Sequence, residues 1–271
     1  MQRDDHFPGS CKQACRYIAN AGSLYYPPSL QRDCSARQTP PTTMAGGAET
    51  SPPPPPPEQQ VAEVVVVRHG ETPWNAARII QGQMDPELNE TGRQQALVVA
   101  RRLAGEAKPA AVYSSDLRRA AETAQAIATA CGVPNVVLDP ALRERHMGDL
   151  HGLAYGDAVR VNPGFFSSDD RAQGIPGGGE SLEQLSRRCV SYLNTVAAKH
   201  RGERVIVVTH GASMEELCTH ADPASPVRGK LHNTCICVFR ISGAGESERW
   251  VLEKAGDVAH LAVVGGDGAS A

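Results

Sequence analysis

Two histidines each close a β-branched run in the same way. Val64 to Val67 ends at Arg68-His69-Gly70, and Val205 to Val208 ends at Thr209-His210-Gly211, with the histidines 141 residues apart. In an open parallel sheet the strands point one way and ligands bind beyond their carboxyl ends, so His69 and His210 meet on one edge if both runs share a sheet. The glycine after each, Gly70 or Gly211, lets the backbone turn and approach a ligand closely. Arg68 precedes His69, Arg118 and Arg119 open a helix just past a strand ending near Tyr113, and Glu144 lies in Arg143-Glu-Arg-His-Met-Gly148. Arginines converging on a helix N-terminus suit a dianion, because guanidinium donors grip two oxygens at once and helix-end amides add partial positive charge. A neutral imidazole among arginines keeps a nucleophilic nitrogen, since nearby positive charge lowers its proton affinity. A neighbouring carboxyl can protonate a leaving oxygen and then activate water. Together these parts make a phosphoryl-transfer site with a phosphohistidine intermediate.

The elements that must position them read clearly. Val61–Val67 and Val205–Val208 have the continuous apolar pattern of strands buried on both faces of a parallel sheet. Between them, strands are expected at 110–113 and 136–138. Helices are expected from Thr91 to about Gly105, with Leu97, Val98, Ala100 and Leu103 facing inward, and from Asp116 to Cys131, capped by Ser115 or Asp116. Ser181-Leu-Glu-Gln184 has the capping-box pattern and opens a helix to Lys199. A helix over 212–218 and late strands at 234–240 and 250–253 complete the pattern. Strands alternating with helices predict an α/β fold, a three-layer sandwich with a mainly parallel central sheet flanked by helices.

The chain has 271 residues, 41% of them hydrophobic, and a formal net charge of −3. That balance argues against a nucleic-acid-coating protein, whose domains are usually strongly basic. The longest strongly apolar runs fall far short of the roughly 20 residues a bilayer span needs, so no membrane partner is expected. Residues 1–60 differ from the rest, with six consecutive prolines at Pro52–Pro57. Polyproline stays extended without internal hydrogen bonds. We read 1–60 as a disordered Pro-rich leader and 61–271 as one domain. The leader has three readings: a transit peptide, a proline-rich docking segment, or an over-extended reading frame with the true start at Met44. Asp4 and Asp5 and the lack of an apolar signal core point to a cytoplasmic protein, with a plastid-directed leader as the alternative. Cys131, Cys189, Cys218, Cys235 and Cys237 have neither metal-finger nor redox spacing and read as reduced thiols.

Val-Val-Arg68-His69-Gly70-Glu71-Thr72-Pro-Trp-Asn75 resembles the signature of the histidine phosphatase superfamily, also called the phosphoglycerate-mutase-like family, and within it the plant phosphoglycerate-mutase-like phosphatases. Ser114-Ser-Asp-Leu-Arg-Arg119-Ala-Ala-Glu-Thr123 resembles its second block, Leu142-Arg-Glu144-Arg-His-Met-Gly148 its acid/base block, and Val208-Thr-His210-Gly211 its second-histidine block. Pro176-Gly-Gly-Gly-Glu-Ser181 is similar to the loop before its long helix. The resemblance runs through nearly all of 61–260. It implies that His69 attacks phosphorus, that Arg68, Arg119 (rather than Arg118) and His210 hold the non-bridging oxygens, and that Glu144 is the proton donor. It also implies that Asn75 and Arg78 lie beside the pocket, that Arg78 to Gln81 and Gly82 line its substrate side, and that Gly211 adjoins the phosphate. No metal and no cofactor are implied, because the arginines and histidine supply the positive charge.

The implied partner is a small phosphorylated substrate; neither its identity nor an oligomeric state is legible. Members of the family divide between hydrolysis of phosphomonoesters and transfer within a phosphoglycerate. The insert Asp149–Gly179 carries few basic groups, Arg160 and Arg171, to hold a second anionic group, and Glu215-Glu216 follows His210 where an arginine is common. Both features favour a metal-independent phosphomonoester hydrolase over the alternative, a phosphoglycerate mutase. A non-catalytic phospho-ligand-binding module is the second alternative, and the presence of all five site residues weighs against it. His146 and His151 read as loop hydrogen-bonders, and His200, His220, His232 and His260 as structural.

Overall fold

The computed structural model describes residues 61–163, 170–225, 227, 229, 231–243 and 245–265. The elements run β1 (Ala62–Arg68), α1 (Pro73–Ala76), α2 (Glu90–Ala104), β2 (Ala111–Ser114), α3 (Arg118–Cys131), β3 (Val136–Leu138), α4 (Tyr155–Val161), α5 (Leu182–Lys199), β4 (Arg204–Thr209), α6 (Gly211–Ala221), β5 (Ile236–Ser242) and β6 (Arg249–Asp257), with short 3-10 turns between some of them. The expectations for residues 1–60, including the start at Met44, lie outside the described residues. No helix among the described residues is long and apolar enough to cross a membrane.

Parity sorts the valine runs into two cores. Val64 and Val66 of β1 and Val205 and Val207 of β4 face Leu185 and Leu193 of α5 and Met214 and Leu217 of α6. Val65, Val67, Ile206 and Val208 face Val99 and Leu103 of α2 and Ala124 and Ile127 of α3. Alternate residues of a strand point to opposite faces, so a run apolar at every position needs a helical layer on each side. Burying each such side chain contributes on the order of 1.5–3 kcal/mol. The result is the expected three-layer α/β sandwich.

The sheet order is β3-β2-β4-β1-β5-β6. Strands β1 to β4 are parallel where they pair, and β5 and β6 are antiparallel additions. The chain crosses from β1 to β2, leaving a gap that β4 later fills. Helix α2, which follows β1 and the short α1, packs on one face and α6, which follows β4, on the other. Helices leaving neighbouring strands on opposite faces open a crevice at the carboxyl ends of those strands. His69 and His210 are the next residues there.

Two local expectations are corrected. Helix α2 buries Gly92, Ala96, Val99, Ala100 and Leu103, whereas Leu97 is 46% exposed and Val98 half-buried. The phase is set by Gly92, whose backbone touches Glu71 so closely that a Cβ would stand 2.0 Å from Glu71 O. Helix α3 starts two residues later than expected, and neither Ser115 nor Asp116 caps it. The Arg118 amide donates instead to Asp85 Oδ1 at 2.7 Å, while Asp116 takes the Arg143 guanidinium at 2.6 Å.

Candidate active site

His69 is 2% exposed and held on three sides. Its amide donates to Thr209 O on β4 at 3.0 Å, its carbonyl accepts Asn233 Nδ2 at 3.0 Å, and the next amide, of Gly70, donates to Thr123 Oγ1 on α3 at 3.1 Å. Its Nδ1 lies 2.6 Å from Gly70 O. A carbonyl can only accept, so Nδ1 carries the proton and Nε2 keeps the lone pair. Gly70 is small for a packing reason rather than for ligand approach, since a Cβ there would stand 2.4 Å from Gly92 O.

His210 is fully buried, its ring centroid 5.1 Å from that of His69 with the planes at 58°. Neither of its ring nitrogens has a hydrogen-bond partner, nor has Arg68 Nε or Arg119 Nε. A buried polar atom without a partner costs on the order of 1–3 kcal/mol. Several near one histidine suit an anion.

The two helix-opening arginines separate. Arg118 is largely exposed and pairs with Glu87. Arg119 is 1% exposed, and its two terminal nitrogens donate to Met84 O and Gly82 O, each at 2.7 Å. Those carbonyls fix the guanidinium plane. Burial lowers its pKa to about 10, which leaves it charged near neutrality. Arg68 donates through Nη1 to Leu231 O. Gly211, the first residue of α6, lies against the Arg68 guanidinium, where a Cβ would be in ordinary contact at 3.6 Å.

Glu144 joins the group from the loop after β3. Its Oε1 accepts the Arg145 amide at 2.8 Å and its Oε2 the Ala212 amide, in the first turn of α6, at 3.2 Å. The carboxylate is therefore anchored two residues past His210. Its carbonyl accepts Gln83 Nε2 at 3.1 Å and Arg188 Nη2 at 3.4 Å. Arg188 also donates to the Ala141 and Arg143 carbonyls at 2.8 and 2.9 Å, which ties α5 to this loop, and pairs with Glu180 at 2.8 Å.

Both histidines are held well below the usual imidazole range, by burial first and then by Arg119, with Arg68 adding to each. The charge effect read from the sequence has the right sign, but desolvation is the larger cause. Both imidazoles are neutral near pH 7.

The remaining sequence candidates divide. Asn75 Oδ1 accepts the Thr72 amide at 3.2 Å and Asn233 Nδ2 at 3.4 Å. Gln81 is 8% exposed, its Oε1 accepting Thr72 Oγ1 at 2.9 Å. Gly82 acts through Arg119, by the carbonyl described above. Arg78 is exposed and left-handed at φ 55°. Of the two acids after His210, Glu216 is buried against Arg171 and Glu215 accepts the Gly229 amide at 2.8 Å. Among the described residues no three His, Cys, Asp or Glu side chains converge as a metal site requires. Asn233, Thr123 and Asp85 were missed. Thr123 carries one sequence signal, standing one helical turn after Arg119 on the same face.

Residues 64–256 match the sequence profile of the Histidine phosphatase superfamily (branch 1). Over 207 residues the chain is 50% identical to phosphoglycerate mutase-like protein 4 of Arabidopsis thaliana, covering 75% of this chain and 89% of that protein. It is 46% identical to the metal-independent phosphoserine phosphatase of the same plant, covering 75% and 84%. Among solved structures it resembles a mycobacterial glucosyl-3-phosphoglycerate phosphatase in complex with VO3, at TM-score 0.65 and 31% identity, covering 72% of this chain and 99% of that one. It also resembles the Entamoeba histolytica phosphoserine phosphatase in complex with 3-phosphoglyceric acid, at TM-score 0.63 and 29% identity, covering 74% and 99%. With that match over most of its length, and with the two histidines brought together at the sheet edge, the chain belongs to the histidine phosphatase superfamily.

Proposed function

We propose that the chain is a metal-independent phosphomonoester hydrolase acting on a small phosphorylated substrate, its activity carried by residues 61–271 in the cytoplasm. One observation carries the reading: His69 lies beside the His210 ring and within electrostatic reach of Arg119 and Arg68, and Arg68 Nε, Arg119 Nε and both His210 ring nitrogens are buried without a partner. The phosphate dianion takes those donors. His69 Nε2 then forms a bond to phosphorus as the ester P–O bond breaks, and Glu144 gives a proton to the leaving oxygen. Water, deprotonated by the Glu144 carboxylate, attacks the phosphohistidine, and orthophosphate leaves with His69 neutral again. Asn75, Arg78, Gln81, Gly82 and Gly211 border the substrate.

Hydrolysis is favoured over transfer because the basic groups available for a second anion are few and Arg171 is already committed to Glu216. The relatives named as phosphoserine and glucosyl-3-phosphoglycerate phosphatases support the same choice. The test is an assay of the full chain with chelator present on a panel of phosphomonoesters, including phosphoserine and 3-phosphoglycerate with and without a bisphosphate primer. Orthophosphate release with an acid-labile phosphoryl group on His69 is expected. Isomerised phosphoglycerate without net release would make it a mutase, and neither outcome would make it a binding module.

A further inference from the structure

The turn that holds Arg119 and the loop that carries Glu144 are joined by a side chain with no part in phosphoryl chemistry. Residues 78–80 run beside 152–155 through three backbone bonds: Tyr155 N to Arg78 O, Ile80 N to Leu153 O and Gly152 N to Ile80 O, each 2.9 Å. The ladder then stops, because Gly82 turns the chain at φ 45°. The next amide, of Gln83, donates to His151 Nε2 at 3.1 Å. The Met147 amide donates to the same nitrogen, also at 3.1 Å. A Cβ at Gly82 would stand 2.3 Å from His151 Nε2. Position 82 is therefore glycine both for its φ and to admit the imidazole.

On one side of that nitrogen lie the Gly82 and Met84 carbonyls that fix Arg119. On the other lie Met147 and, three residues earlier, Glu144, whose carbonyl the Gln83 side chain also holds. We propose that His151 is a positioning residue: its neutral imidazole, accepting two amides at Nε2, sets the phosphate-binding arginine and the proton donor in register. Two N–H groups can converge on one ring nitrogen only if it carries no proton, so the ring proton sits on Nδ1. Protonation would aim a third donor at the two amides and open the clamp. Burial, followed by the His146 ring packed edge-on at 4.7 Å, disfavours that form. The inference rests on the phosphatase reading for its effect on rate, and on geometry alone for the clamp.

The experiment compares wild type, His151→Leu and His151→Gln between pH 5 and 8. It reads kcat, KM, inhibition by orthophosphate, and hydrogen exchange of the Gln83 and Met147 amides. Leucine removes the acceptor, whereas a glutamine Oε1 can replace Nε2 and does not titrate in this range. His151→Leu should lose about tenfold in kcat/KM, since small misplacements of catalytic groups are costly, should bind orthophosphate more weakly, and should exchange both amides faster. His151→Gln should recover most of the activity and protection and flatten the acid-side loss of protection expected of wild type. His151→Leu within twofold of wild type in rate, or His151→Gln no better than His151→Leu, would overturn the positioning role. Unchanged protection of both amides in His151→Leu would overturn the clamp itself. An inactive wild type would count against the phosphatase reading instead, and exchange would still decide the clamp. If His151→Leu fails to fold, the pH dependence of amide protection in wild type against His151→Gln decides, and two parallel curves would overturn the proposal.

Discussion

Arg68 and Thr209 are register partners across the parallel β1–β4 pair, so the residues that follow them, His69 and His210, leave the sheet side by side. Residues 141 apart in sequence are thereby placed 5.1 Å apart at their ring centroids. The positions of both histidines are fixed by strand pairing.

His69→Ala should abolish turnover on every phosphomonoester while the fold persists, because the variant removes one loop-edge ring and no part of either valine core. Rate and thermal melting measured on the same preparation check this. Activity above a tenth of wild type would remove His69 from the nucleophile role.

Glu144→Gln keeps an acceptor for only one of the Arg145 and Ala212 amides, since an NH2 group replaces the other oxygen, and it has no acidic proton to give. Its loss should exceed about a hundredfold on alkyl phosphates, at the lower end of general-acid contributions, and be far smaller on aryl phosphates with good leaving groups. Equal losses on the two classes would show that Glu144 does not protonate the leaving oxygen.

The adjacent arginines make an internal control. Arg119→Met should cost at least about a hundredfold in kcat/KM, in the range seen for loss of a preorganised charge-stabilising group, and should also strand the Gly82 and Met84 carbonyls. Arg118→Ala, which loses an exposed pair with Glu87, should stay within twofold. Similar effects of the two would mean that burial does not distinguish them.

Stability should fall in acid for a reason located in the site. His69 and His210 are neutral in the fold with pKa values well below the ordinary 6.5, so the unfolded chain binds more protons as pH drops through 6.5. Stability is therefore full above that pH and is lost below it, at up to about 1.4 kcal/mol per pH unit for each histidine. Urea unfolding at pH 7.5 and 5.5 measures it. The His69→Asn, His210→Asn double variant should have a shallower slope, and an unchanged slope would assign the acid sensitivity elsewhere.

The strands and the meeting of the two histidines were legible because each rests on local pattern, valine runs ending in His-Gly, whereas Arg119 was separated from Arg118 by the family resemblance alone. What was illegible depends on partners distant in sequence. Residues 96–100 read Ala-Leu-Val-Val-Ala, an apolar run that supports several helical phases. Only the close approach of Gly92 to Glu71 selects the one that buries Val99 and exposes Leu97. Asn233 carries no local mark of the bond it makes to the His69 carbonyl.

The cap of α3 is the clearest case of a distant partner, and it can be tested directly. Asp85 lies 33 residues before the amide it accepts, that of Arg118, at 2.7 Å. It satisfies one of the donors left bare at the start of the helix that presents Arg119, a job normally done by the residue at the cap itself. Here that residue is Leu117, which has no side-chain acceptor. Asp85→Ala should therefore destabilise the fold by about 1 kcal/mol, the usual cost of losing a cap, as read by urea unfolding. Asp85→Asn retains the acceptor oxygen and should recover most of that loss, because a cap acts mainly through the hydrogen bond. Equal stability of wild type and Asp85→Ala would mean that water caps α3 as well as Asp85 does.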